Sequence, residues 1–178
     1  MRTAAAESPP LRGRIPIALG VALLLAAQWW LGVSAITGKS NTFDEIAHLP
    51  AGYAYWTRGD FRLNPENGNL PQRLGALPLL LQGARFPDRD DEAWRTSNVW
   101  SIGEQFFFGL GNDIDRMLLS ARSVMSLLGV AIALAVFLWS RRLYGNRAGF
   151  LSLALCVVCP TLLAHASDEY VPITQLLA

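Results

Sequence analysis

The chain is short of charge. Only 16% of its 178 residues are Asp, Glu, Lys or Arg, against 52% apolar residues, a balance too greasy for an ordinary soluble domain. Its net charge is +1, so there is no basic field to draw in nucleic acid. Cysteine is almost absent. Both cysteines fall outside the polar middle of the chain, so disulfides play no part there. Cys156 and Cys159 have C-x-x-C spacing but sit inside "LALCVVCPTLL". A redox or metal pair needs a polar, accessible setting, and these two read as small apolar helix residues. No internal repeat or low-complexity tract is evident.

What the chain does have is long runs free of charge. Residues 15–36 hold none, 117–139 hold only Arg122, and 148–166 hold none. A bilayer core of ~30 Å needs about 20 apolar residues per helical span. The sequence therefore predicts an all-α integral membrane protein with three transmembrane helices. Arg2, Arg12 and Arg14 precede the first run, and Arg141, Arg142 and Arg147 fill the link between the second and third. Cytoplasmic loops carry the excess of Lys and Arg. This places residues 1–14 and 140–147 in the cytoplasm, and residues 37–116 and 167–178 outside it. The plasma (inner) membrane is the expected location. Val33-Ser34-Ala35 could end a cleaved signal peptide, but the apolar run is long for one and two more follow.

The outer segment, 37–116, carries eleven acidic and eight basic residues. It is too long for a passive connector. Ile46, Leu49, Tyr53 and Trp56 have helical spacing. Asn41 or Thr42 can cap that helix, with Asp44 and Glu45 in its first turn, where the helix dipole favours anions. Pro50 should bend it or start a new turn, and Gly59 should end it. Tyr53, Tyr55 and Trp56 read as interfacial anchors. Asn64-Pro65 and Asn67-Gly68-Asn69 signal turns. Leu70, Leu74, Leu77 and Leu81 then form a stripe suited to a helix lying on the membrane surface. "DRDDEAWR" reads as a charged turn or helix start, and Phe106 to Phe108 as a headgroup-level triplet. Arg122 lies about five residues into its span. It has to snorkel or find a phosphate or carboxylate partner.

Asp44-Glu45 just outside the first span, an aromatic helix, "GDFRLNPE", then Leu-Pro and a helix ending "LPLLL" follow one another in order. With "LLSARSVMSLLG", "RRLYGNRAGFLSLAL" and "CPTLLAHAS" downstream, this order resembles the GT-C glycosyltransferases. It is most similar to the family 39 type, the protein O-mannosyltransferase-like enzymes and their aminoarabinose transferase relatives. The resemblance implies transfer of a sugar, with inversion, from a polyprenyl-phosphate donor to an extracytoplasmic protein, lipid or glycan acceptor. It makes Asp44 the general base, with Glu45 beside it to orient, cap or bind acceptor. Arg58, Arg62 and Arg73 are local candidates for the leaving phosphate, with Arg122 a further one. Glu66 stands where relatives carry Glu-His-Pro-Pro-Leu or Glu-Lys-Pro-Pro-Leu, here altered to "ENGNLPQ". Asp168, and next Glu169, stand for a second acidic motif in the compressed "LLAHASDEYVP". No cofactor is implied beyond an optional divalent metal, for which His48 and Glu66 are the candidates. Family members are much longer, and the chain ends in "PITQLLA", the start of a further helix. The expectation is therefore the N-terminal portion of such an enzyme. The alternative is a non-catalytic membrane subunit or degenerate fragment whose outer loop binds a partner or lipid.

Overall fold

The computed structural model describes residues 11–167. Among these, all regular structure is helical. Helix α1 spans Leu11–Ile36, α2 Glu45–Arg58, α3 Asn69–Gln82, α4 Glu92–Arg95 and α5 Val99–Glu104. A π-helical turn, Gln105–Gly109, follows α5 directly. Helix α6 runs from Ile114 to Tyr144, α7 from Asn146 to Val157 and α8 from Pro160 to Ser167.

Among the described residues, two helices are long and apolar enough to cross a bilayer: Ile15–Ala35 within α1, and α6. Each turns large apolar side chains outward, among them Ile15, Leu19 and Leu23 on α1 and Leu127, Leu138 and Trp139 on α6. That suits a lipid surround and not water. The two pack against one another. Gln28 Nε2 donates to Gly129 O at 3.3 Å, and Trp29 Nε1 donates to Ser123 O at 3.1 Å. Val21, Ala133, Phe137, Leu153 and Val157 fill the contact at the other end, where α7 joins them.

The third predicted span, 148–166, is two helices rather than one. Helix α7 has 12 residues, about 18 Å of rise, well short of the ~30 Å hydrocarbon core. The chain breaks at Val158 and Cys159, and α8 starts at Pro160. Proline has no N–H to continue a helix but fits its first turn. Both pieces pack on α1 and α6.

Residues 37–116 form a packed helical cap. Helix α2 lies at its centre, covered by α3 on one side and α5 on the other. Both approaches need glycine. A Cβ on Gly52 would fall 2.0 Å from Gln72 O, and one on Gly103 would fall 2.1 Å from Ile46 O. Ile46 supplies the carbonyl that Pro50, lacking an N–H, leaves without its usual helical donor. Helix α2 runs on through Pro50 and stops at Gly59, φ 63°, in the left-handed region glycine tolerates. Helix α3 packs its Gly75–Ala76–Leu79 face inward, and Gln82 Nε2 donates to Ser120 Oγ at 2.6 Å, tying it to α6. Of the leucine stripe, Leu70, Leu77 and Leu81 face outward, Leu81 at 91% exposure, and Leu74 is half-buried. The loop before α6 is pinned by Asn112, whose Nδ2 donates to Phe106 O and Arg85 O while its Oδ1 accepts from Arg85 N.

Two expectations about aromatics are corrected. Tyr53 and Tyr55 are core residues, and only Trp56 of that trio is exposed. Tyr53 Oη donates to Ala84 O at 2.6 Å and Tyr55 Oη to Asn64 O at 2.9 Å. Each ring is thus buried with its hydroxyl satisfied. Phe106 and Phe107 are likewise buried, leaving only Phe108 outside. Phe106 packs against Tyr53 and edge-on to Phe86.

Candidate functional site

The segment linking α1 to α2 places Asp44 and Glu45 in opposite environments. Thr42 and Glu45 form a reciprocal cap: Thr42 N donates to Glu45 Oε2 at 2.7 Å, and Glu45 N donates to Thr42 Oγ1 at 3.4 Å. This is the Ser/Thr-x-x-Glu capping box, which satisfies two amides that a helix start leaves open. It turns Glu45 inward, fully buried. Asp44 is helical in backbone and its carbonyl accepts from Ala47 N and His48 N. Its side chain is exposed and, among the described residues, caps no amide and enters no ion pair.

Glu45 meets Arg122 of α6. Arg122 Nε donates to Glu45 Oε1 at 2.6 Å and Nη2 to Glu45 Oε2 at 2.7 Å. The side chains are 3% and 1% exposed. Arg122 also donates through Nη1 to Lys39 O at 3.1 Å and through Nη2 to Ser40 O at 2.9 Å. The planar guanidinium thus fixes both the carboxylate and the backbone leading to it. Of the partners expected for Arg122, a carboxylate is present.

The other predicted residues are dispersed. Arg58 lies 4.8 Å from the Phe86 ring and 4.2 Å from Trp94, and its Nη2 donates to Pro87 O. Burial, with Arg89 nearby, lowers its pKa. Arg62 pairs with Asp60 at 2.9 Å and lies 5.1 Å from Trp94. Arg73 covers Trp56 at 4.0 Å. Glu66 is exposed in the turn between α2 and α3. Its charge adds to burial in pushing Tyr55 up to about 12, against the hydrogen bond to Asn64. His48 is buried in α2, and desolvation lowers its pKa to about 3. His48 and Glu66 thus differ in setting, and no cluster of three metal-ligating side chains occurs among the described residues. Asp168 and Glu169 lie outside the described residues.

Sequence reasoning overlooked Trp100. It stacks on Phe43, the residue before Asp44, with ring centroids 4.3 Å apart and planes at 29°. Both rings stay exposed. Gly103 against Ile46 sets the helix approach, and Phe43 and Trp100 lie three residues earlier on each side. The signal available was Gly103 inside an otherwise helical "VWSIGE". The resulting site is an exposed carboxylate on a braced helix start, beside an exposed aromatic stack. No family model matches the chain, and no curated protein or solved structure matches it.

Proposed function

We propose that this chain carries the first part of a membrane glycosyltransferase. The reaction is inverting transfer of a sugar from a polyprenyl-phosphate donor to an acceptor hydroxyl outside the cytoplasm, at the plasma membrane. The observation that carries the reading is the division of labour in Asp44-Glu45. Glu45 is consumed by the cap and by Arg122, whereas Asp44 is presented to solvent from the braced turn. The resemblance to GT-C enzymes supplies the reaction class.

In this mechanism Asp44 accepts the acceptor hydroxyl's proton as the oxygen bonds to the anomeric carbon. The bond from that carbon to the phosphate oxygen breaks at the same time, and polyprenyl phosphate leaves with the electron pair. Such base catalysis contributes typically 10²–10⁴-fold. Glu45 and Arg122 act as positioning residues. The Phe43–Trp100 stack beside Asp44 offers an apolar face to a pyranose ring. The third span of the bundle is the broken pair α7 and α8.

One observation favours the non-catalytic alternative. Arg58 and Arg62 are already engaged with aromatic rings, a carbonyl or Asp60, so neither is held ready for a leaving phosphate. One experiment separates the readings. Full-length protein in native membranes is assayed for transfer from polyprenyl-phosphate sugar, with and without Asp44→Asn. Loss of at least about a hundredfold supports Asp44 as base; near-normal turnover in the variant removes it.

A further inference from the structure

We propose that the cavity at the outer junction of α1 and α6 docks the headgroup of a zwitterionic phospholipid. The cavity measures ≈ 390 Å³ and is lined by Thr37, Lys39, Asp115, Leu118, Leu119 and Arg122, among others. That volume falls in the range of small-molecule sites, ~300–1,000 Å³. The inference rests on α1 and α6 crossing a bilayer and is independent of sugar transfer.

Depth places the cavity at the headgroups. The uncharged stretch of α6 runs from Ser123 to Ser140, about 27 Å of helix and close to one hydrocarbon core. Trp29 donates to Ser123 O, marking the outer edge as interfacial indoles do. Trp139 and Tyr144, 70% and 78% exposed, mark the inner one. Arg122 thus stands at the outer boundary and Asp115 about 10 Å further out, within the polar layer of the leaflet.

The charges select the ligand. Arg122 is bound to Glu45 and to two backbone carbonyls, so this buried pair adds no net charge to the floor. What remains among the described lining residues is one cation, Lys39, and one anion, Asp115. Neither enters an ion pair among the described residues. A headgroup with one phosphate and one ammonium matches both. A purely anionic headgroup would leave Asp115 opposed to it. Leu118 and the exposed Leu119 offer apolar surface to the glycerol esters and first methylenes.

The test is native mass spectrometry of the full-length protein in mild detergent, titrated with phosphatidylethanolamine or phosphatidylglycerol. Wild type is expected to hold one phosphatidylethanolamine in preference to phosphatidylglycerol. Lys39→Ala should weaken both lipids about fivefold, the effect of one lysine near a lipid surface. Asp115→Asn should weaken phosphatidylethanolamine alone and so erase the preference. Both side chains are exposed, and unchanged melting temperatures establish that the variants fold. Binding without headgroup preference, or variants identical to wild type, overturns the proposal. Displacement of the lipid by millimolar glycerophosphoethanolamine would also overturn it, because the site would then read a soluble phosphodiester and not the bilayer.

Discussion

Arg122 and Glu45 lie 77 residues apart, with α3, α4 and α5 between them in the chain, yet they meet in a two-pronged ion pair at 2.6 and 2.7 Å. The cap of α2 and the membrane helix α6 are therefore one mechanical unit. Removing one partner strands the other charge out of water, which costs roughly 3–5 kcal/mol, whereas replacing both by apolar residues is often near neutral. Arg122→Leu should lower the stability of the detergent-solubilised protein sharply, and Glu45→Leu with Arg122→Leu should restore much of it. A double variant no more stable than Arg122→Leu alone would show that the pair is not what joins the helices.

Asp44 should behave in the opposite way. Its side chain is exposed and caps nothing, so Asp44→Asn should change stability by no more than about 0.5 kcal/mol. The same variant should lose sugar transfer at least about a hundredfold. Melting curves and transfer rates measured on one preparation separate these effects. A large drop in melting temperature would assign Asp44 a structural role instead.

Gly52 and Gly103 have no room for a methyl group, since each meets a backbone carbonyl at 2.0 or 2.1 Å from the added Cβ. A helix carbonyl cannot rotate away as a side chain can. Gly52→Ala and Gly103→Ala should each destabilise the packing around α2 by about 1–3 kcal/mol or more. Gly68, with φ −57° and its nearest neighbour Pro71 Cδ at 3.6 Å, provides the control. Gly68→Ala should be tolerated within about 0.5 kcal/mol. Equal melting temperatures for all three would contradict the close approach.

His48 gives the protein an acid sensitivity with a definite sign. Burial lowers its pKa from 6.5 to about 3, so the folded protein keeps it neutral. Above pH 6.5 neither state gains a proton there and stability is unaffected. Below it, the unfolded chain takes up a proton that the fold refuses. Stability then falls by about 1.4 kcal/mol per pH unit until pH approaches 3. His48→Gln should flatten the stability profile between pH 6.5 and 5, above the carboxylate range. An unchanged slope in the variant would place the sensitivity elsewhere.

Much of this fold is written in local patterns. The charge-free runs mark α1 and α6, Thr42 and Gly59 bracket α2, and the leucine stripe marks α3. These signals concern neighbours along one helix, where spacing alone is informative. The burial of Tyr53, Tyr55, Phe106 and Phe107 was not legible, because an aromatic in a core and one at a membrane interface look alike in sequence. What decided it was α3 and α5 closing on α2 at Gly52 and Gly103. Arg122 was legible as a charge in need of a partner. That the partner was Glu45 depended on how the intervening segment folds. The Phe43–Trp100 stack, 57 residues apart in the chain, was hidden for the same reason.

The Arg122–Glu45 pairing also sets an order of events during biogenesis. Glu45 leaves the ribosome 77 residues before Arg122, a delay of roughly 4–15 s at ~5–20 residues per second. During that interval its carboxylate can stay hydrated. It can be buried only after the N-terminal part of α6 has been made and has arrived. The cap of α2 is therefore completed by a helix made well after it, and Asp44 takes its final place only once α6 has docked.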